Sequence, residues 1–110
     1  MTKVASFLGR PMNEVEYKTL VSILKEEVEI VPCHYKIIQG RGRVNDIIEA
    51  IPQDCDVVVV KTHIFITRWI SELVNLPVLN FKRINKLGDK SFKGWRVFNN
   101  GYLVDYVPAV

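Results

Sequence analysis

Apolar residues come in short runs separated by polar turns, and the spacing within each run sets the element it predicts. Val4 to Leu8 is an apolar run ending at Gly9-Arg10-Pro11, which predicts a strand whose carboxyl end opens into a loop. Asn13 is placed to cap a following helix, and Glu16 stands three residues on, where a capping carboxylate belongs. Val15, Leu20, Val21, Ile23 and Leu24 then recur at helical spacing as far as Lys25, whose charge suits the carboxyl end of a helix. Val28 to Val31 predicts a second strand, interrupted by Pro32 and resumed at Tyr35 to Ile38, a pattern of an edge or a bend. Gly40 to Arg43 reads as a loop, and Val44 to Ile51 as a short helix stopped by Pro52.

Asp56 leads into Val57 to Val60. Four valines without alternation suit a parallel strand covered on both faces, so this run is expected in the middle of a sheet. After Lys61-Thr62-His63, the segment Ile64 to Val74 is apolar nearly all round through Phe65, Ile66, Trp69, Ile70 and Leu73, which predicts a substantially buried helix. Pro77 introduces another short strand, Val78 to Phe81. Alternating strands and helices imply a mainly parallel sheet with helices on both faces. The carboxyl-terminal segment departs from that alternation: Trp95 to Asn99 and Tyr102 to Val107 flank Asn100-Gly101, the dipeptide of a two-residue type I′ hairpin. Setting Asn99 opposite Tyr102 pairs Phe98 with Leu103, Val97 with Val104, Arg96 with Asp105 and Trp95 with Tyr106.

With 110 residues, 48% of them hydrophobic and 25% charged, the chain is expected to form one α/β domain over residues 1–110; disorder and a multidomain enzyme are excluded. Two cysteines, Cys33 and Cys55, argue against a disulfide scaffold or a zinc ribbon, and read as small buried groups in a cytoplasmic protein. No apolar run approaches the roughly 20 residues of a membrane span, and the first residues lack a signal peptide's long apolar segment. The formal net charge of +3 fits an anionic partner.

Ligands of an open parallel sheet bind beyond the carboxyl ends of its strands. Three loops qualify here: Gly9 to Asn13, Lys61-Thr62-His63, and Asn80 to Arg83. Gly9 permits close backbone approach, Arg10 and Lys82 bring charge, and Thr62 and Asn80 bring hydrogen-bonding side chains, together describing an anion-binding crevice. An ordinary strand-to-helix turn with a solvated arginine uses the same residues, and neither the spaced glycine triplet of dinucleotide sites nor a P-loop is present. His63, at the start of an apolar helix, is the best-placed proton carrier, but packing or capping alone is the leading reading of it, since no carboxylate lies nearby in sequence to orient the imidazole. Cys33 and His34 are strand neighbours facing opposite ways, so no metal site is expected of them. Between Phe81 and Arg96, Lys82, Arg83, Lys86, Lys90, Lys93 and Arg96 face only Asp89, with Phe81, Phe92 and Trp95 interleaved. That segment reads either as an RNA-binding stretch with stacking faces or as a solvated loop anchored by its aromatics.

The combination of the Gly9-Arg10-Pro11 loop, a buried strand running into Thr62-His63, the Pro77-Val78-Leu79-Asn80 strand and a terminal hairpin resembles the small stand-alone members of the CARF group, the CRISPR-associated Rossmann-fold proteins. The resemblance implies a Rossmann-like, mainly parallel sheet with flanking helices and a terminal antiparallel hairpin. It also implies binding of a cyclic oligoadenylate messenger, cyclic tetra-adenylate above all, in type III CRISPR antiviral defence. The usual binder is a homodimer lying across the ring, with a higher assembly of such dimers as the alternative. Gly9, Arg10, Pro11, Lys61, Thr62 and His63 match the family's ligand loops, with Asn80 and Lys82 beside them. Holding or regulating the messenger is the leading expectation, without cofactor or metal. The alternative is metal-independent ring cleavage, in which Lys61, Arg10 or His63 stabilises charge or moves a proton.

Overall fold

A computed structural model describes residues 1–34, 43–83 and 91–109. Its elements run β1 (Thr2–Phe7), α1 (Glu14–Leu24), β2 (Val28–Pro32), α2 (Arg43–Ala50), β3 (Val57–Val60), α3 (Ile64–Leu73), β4 (Val78–Arg83), β5 (Phe92–Asn99) and β6 (Tyr102–Pro108). The expected resumption of a strand at Tyr35 to Ile38, and the loop from Gly40 to Gly42, lie outside the described residues, as do Lys86, Asp89 and Lys90.

The six strands form one mixed sheet in the order β2-β1-β3-β4-β5-β6. The first four pair in parallel, and β5 and β6 add an antiparallel hairpin. All four valines of β3 are buried, as their lack of alternation requires for a strand covered on both faces. One core holds Val4, Leu8, Val57, Val59, Leu79, Phe81, Trp95 and Val97 with Leu20 of α1. The opposite core holds Ala5, Phe7, Val58, Val60, Val78 and Phe98 with Ile47 of α2 and Ile70 of α3. The alternating strand residues therefore divide between two layers, α1 on one face and α2 with α3 on the other.

Local chemistry fixes the helix ends. Asn13 accepts from the Glu16 N–H at 2.8 Å while Glu16 Oε1 accepts from the Asn13 N–H at 2.9 Å, a complete capping box. Lys25 ends α1 with its backbone in the left-handed region, φ 59° and ψ 25°, and its N–H donates to the Val21 carbonyl.

Four expectations are corrected. β4 continues through Arg83 and β5 begins at Phe92, because Lys82 and Arg83 find partners in Gly94 and Phe92. Val15 on α1 is exposed, and Glu16 and Thr19 occupy the inner face with Leu20. Helix α3 is not buried all round: Thr67, Ile70 and Ser71 face the sheet, and Phe65, Trp69 and Leu73 face outward. In the hairpin, Asn99–Tyr102 and Phe98–Leu103 pair as expected, but a bulge at Val104 then sets Val97 against Asp105, Arg96 against Tyr106 and Trp95 against Val107. β6 is a largely exposed edge strand, so burial constrains its register weakly. The turn itself holds: Asn100 and Gly101 both have positive φ, 50° and 83°.

Candidate functional site

The strand order reverses at β1. From β1 the chain steps outward to β2, then returns to place β3 on the other side, so the loops after β1 and β3 leave adjacent strands toward opposite helical layers. Phe7, Val60 and Asn80 stand in one row across β1, β3 and β4. The loops after β1 and β3 consequently start from one rim, whereas Asn80 to Arg83, expected as a third loop, continue β4 because they pair with β5.

Phe81 gathers the cations of that rim. Lys61 Nζ lies 4.9 Å from its ring centroid and Arg10 Cζ 5.9 Å. The ring is itself buried, edge-on to Trp95 at 5.7 Å and tilted against Phe92 at 5.0 Å. Trp95 is fully buried and donates its indole N–H to the Glu16 carbonyl at 3.2 Å. Phe81 and Trp95 thus anchor the core rather than offering open stacking faces.

Arg10 is held back toward α1. Its Nη1 and Nη2 donate to Glu16 Oε1 and Oε2 at 2.7 and 2.6 Å, and Nη1 donates also to the Pro11 carbonyl at 3.0 Å. The Glu16 side chain has no exposed surface, whereas that of Arg10 is 42% exposed, leaving an outward edge. Burial pushes the Glu16 carboxyl up, but the Arg10 and Asn13 hydrogen bonds and the charges of Arg10 and Lys61 outweigh it and hold the group below its ordinary range.

His63 caps α3: its Nδ1 accepts the Phe65 N–H at 3.2 Å, so a neutral imidazole carries its proton on Nε2. Its ring stacks on Phe65 at 5.1 Å. Asn80 is buried, donating to the Thr62 carbonyl and Thr67 Oγ1, both at 2.8 Å, and accepting from Arg96 at 3.2 Å. It therefore fixes the Thr62 loop instead of facing the crevice. Lys82 sits further along β4, its Nζ 4.3 Å from the Tyr106 ring centroid.

A cavity of about 460 Å³ adjoins the rim, lined by Ser6, Gly9, Arg10, Pro11, Met12, Ile30, Pro32, Cys33 and His34. Gly9, at φ 78°, has open space where a Cβ would stand. Sequence reasoning missed the contribution of β2 through Ile30, Cys33 and His34; the signal was available, since β2 also has a carboxyl-end loop, beginning at Pro32. Cys33 and Cys55 are buried free thiols, and burial raises the pKa of both.

Among the described residues, no helix is long and apolar enough to cross a membrane. Comparison of the chain with protein-family models, curated proteins and solved structures finds no match to any of them.

Proposed function

We propose that the protein binds a cyclic oligoadenylate, cyclic tetra-adenylate in the first place, at the carboxyl-end crevice of a Rossmann-like sheet, and so takes part in type III CRISPR defence by holding the messenger or regulating its signal. One observation carries the reading: Arg10 and Lys61, from the loops after β1 and β3 on either side of the point where the strand order reverses, both reach the ring of Phe81 on β4, and Arg10 also lines a cavity of about 460 Å³. That volume falls in the range of small-molecule sites, roughly 300–1,000 Å³. In this reading Lys61 and the outward edge of Arg10 meet phosphates, the bare backbone at Gly9 admits close approach, and the cavity takes a base. Pro11, Thr62 and His63 border the ring, with His63 Nε2 as a donor. Asn80 positions the Thr62 loop, and Lys82 contributes charge at longer range. A two-fold ring presents equal faces to the crevices of two copies.

Holding ranks above cleavage because, among the described residues, His63 hydrogen-bonds only within its own helix and so has no carboxylate to orient it as a base. The RNA-binding reading loses two of its three stacking faces, since Phe81 and Trp95 are buried and Phe92 is half-buried. Calorimetry with cyclic tri-, tetra- and hexa-adenylate tests the proposal. Binding of the tetra-adenylate, weakened about tenfold or more by Lys61→Ala, is expected at the price of roughly 1.4 kcal/mol per decade. No heat with any ring, or affinity indifferent to Lys61→Ala, refutes it; linear product formed in chelator would replace holding with cleavage.

A further inference from the structure

Helix α3 buries its small side chains and exposes its large ones. Thr67 and Ser71 pack inward with Ile70, their hydroxyls bonded to the His63 and Arg68 carbonyls at 3.2 and 2.8 Å. Phe65, Trp69 and Leu73 are 67%, 58% and 56% exposed. Four residues apart, they form one continuous ridge along the helix. At about 150–250 Å² for a whole aromatic side chain, the three leave roughly 350 Å² of apolar surface open, within the size range where patches are functional. Leu103 extends it: paired with Phe98, it shares the α3 face of the sheet and is also exposed.

We propose that this ridge is the contact surface of a homodimer in which α3 packs antiparallel on α3 of a second copy. The ridge is self-complementary. A two-fold axis at Trp69 sets Phe65 against Leu73 of the second copy, Trp69 against its counterpart, and Leu73 against Phe65. Arg68 and Glu72 flank the ridge on the side of the hairpin turn and are exposed; Arg68 Nε donates to the Gly101 carbonyl at 3.1 Å and Glu72 lies against Gly101, and among the described residues neither forms an ion pair within the chain. Under the same axis Arg68 lies two residues out of register with Glu72 of the second copy, about 3 Å along the helix and within the reach of both long side chains, and the pairing occurs twice. With Leu103, Arg68 and Glu72 included, each copy contributes about 600 Å², so the total reaches the lower bound of stable interfaces, roughly 1,200 Å². The open edge of β6 is the competing surface, but its bulge at Val104, Asp105 and terminal Pro108 blunt strand addition. Antiparallel α3 helices point the carboxyl-end rims of the two copies apart. The contact is therefore distinct from any made across a ring, and it stands whether or not the crevice binds one.

Sedimentation equilibrium of the whole chain without nucleotide is the test. A dimer is expected at micromolar concentration, with Trp69→Lys weakening it by about 30-fold or more while the circular dichroism stays unchanged. Should Trp69→Lys fail to fold, Leu73→Lys serves in its place. Arg68→Glu alone weakens association, and Arg68→Glu with Glu72→Arg restores it. A monomer at 100-fold higher concentration, or a dimer indifferent to the lysine substitutions, overturns the proposal, and a charge exchange that restores nothing overturns the antiparallel register.

Discussion

Replacing Glu16 tests the link between the α1 cap and the rim. Its carboxylate receives three hydrogen bonds, two from Arg10 and one from the Asn13 N–H, and is wholly buried. Glu16→Gln keeps the volume and an acceptor for Asn13 but removes the charge facing Arg10. A fully buried pair broken on one side costs about 3–5 kcal/mol and an exposed one about 0–1; with Arg10 42% exposed the loss falls between, at about 1–2 kcal/mol. Glu16→Ala also removes the reciprocal half of the capping box and buried side-chain packing, about 1 kcal/mol more. Against a total of about 5–15 kcal/mol, either change is measurable by urea titration, and the alanine variant should melt about 10–20 °C lower. The pH dependence supplies an independent reading. Because the folded carboxyl lies below the ordinary Glu value of 4.5, its contribution is present above that value and disappears as pH falls through the lower, folded one. Wild-type stability should drop in that acid window, and Glu16→Gln should flatten the drop. A loss under about 0.5 kcal/mol for Glu16→Ala would refute the assignment of Glu16 as the anchor of Arg10.

Two backbone positions give further predictions. Lys25 is exposed and left-handed, so Lys25→Gly relieves steric strain at no packing cost and should raise stability by about 0.5–1 kcal/mol in a urea titration; unchanged stability would contradict this. A Cβ on Gly94, at φ 149°, would stand 2.3 Å from the Val107 carbonyl oxygen and 2.8 Å from Pro108 Cα. Those are backbone atoms of β6, so Gly94→Ala should cost about 2–4 kcal/mol by forcing that strand away, and a variant within about 0.5 kcal/mol of wild type would show that β6 yields freely.

What the sequence revealed follows from which signals are local. The valine strand, the Asn13–Glu16 cap and the Asn100-Gly101 turn each depend on a few adjacent residues, and each is observed. The bulge at Val104 was illegible because an exposed edge strand tolerates several registers. The outward face of α3 was hidden by composition: an apolar helix reads as buried until the sheet selects Thr67 and Ser71 for close approach. At the rim, the loops after β1 and β3 were found from strand order, since Arg10 and Lys61 do meet at Phe81. Glu16 was recognised as a cap but not as the partner of Arg10, and the cavity wall from β2 depends on parallel pairing with β1 that no short motif encodes.

For the proposed crevice, the Glu16 carboxylate also decides what kind of guest fits. Fixed to the same chain as Arg10, it competes for the guanidinium at an effective concentration that a dissolved monovalent ion does not match. A small anion arriving alone is outcompeted by this tethered rival. A guest that engages several rim groups at once is not, because its remaining contacts keep it in place while it shares the arginine.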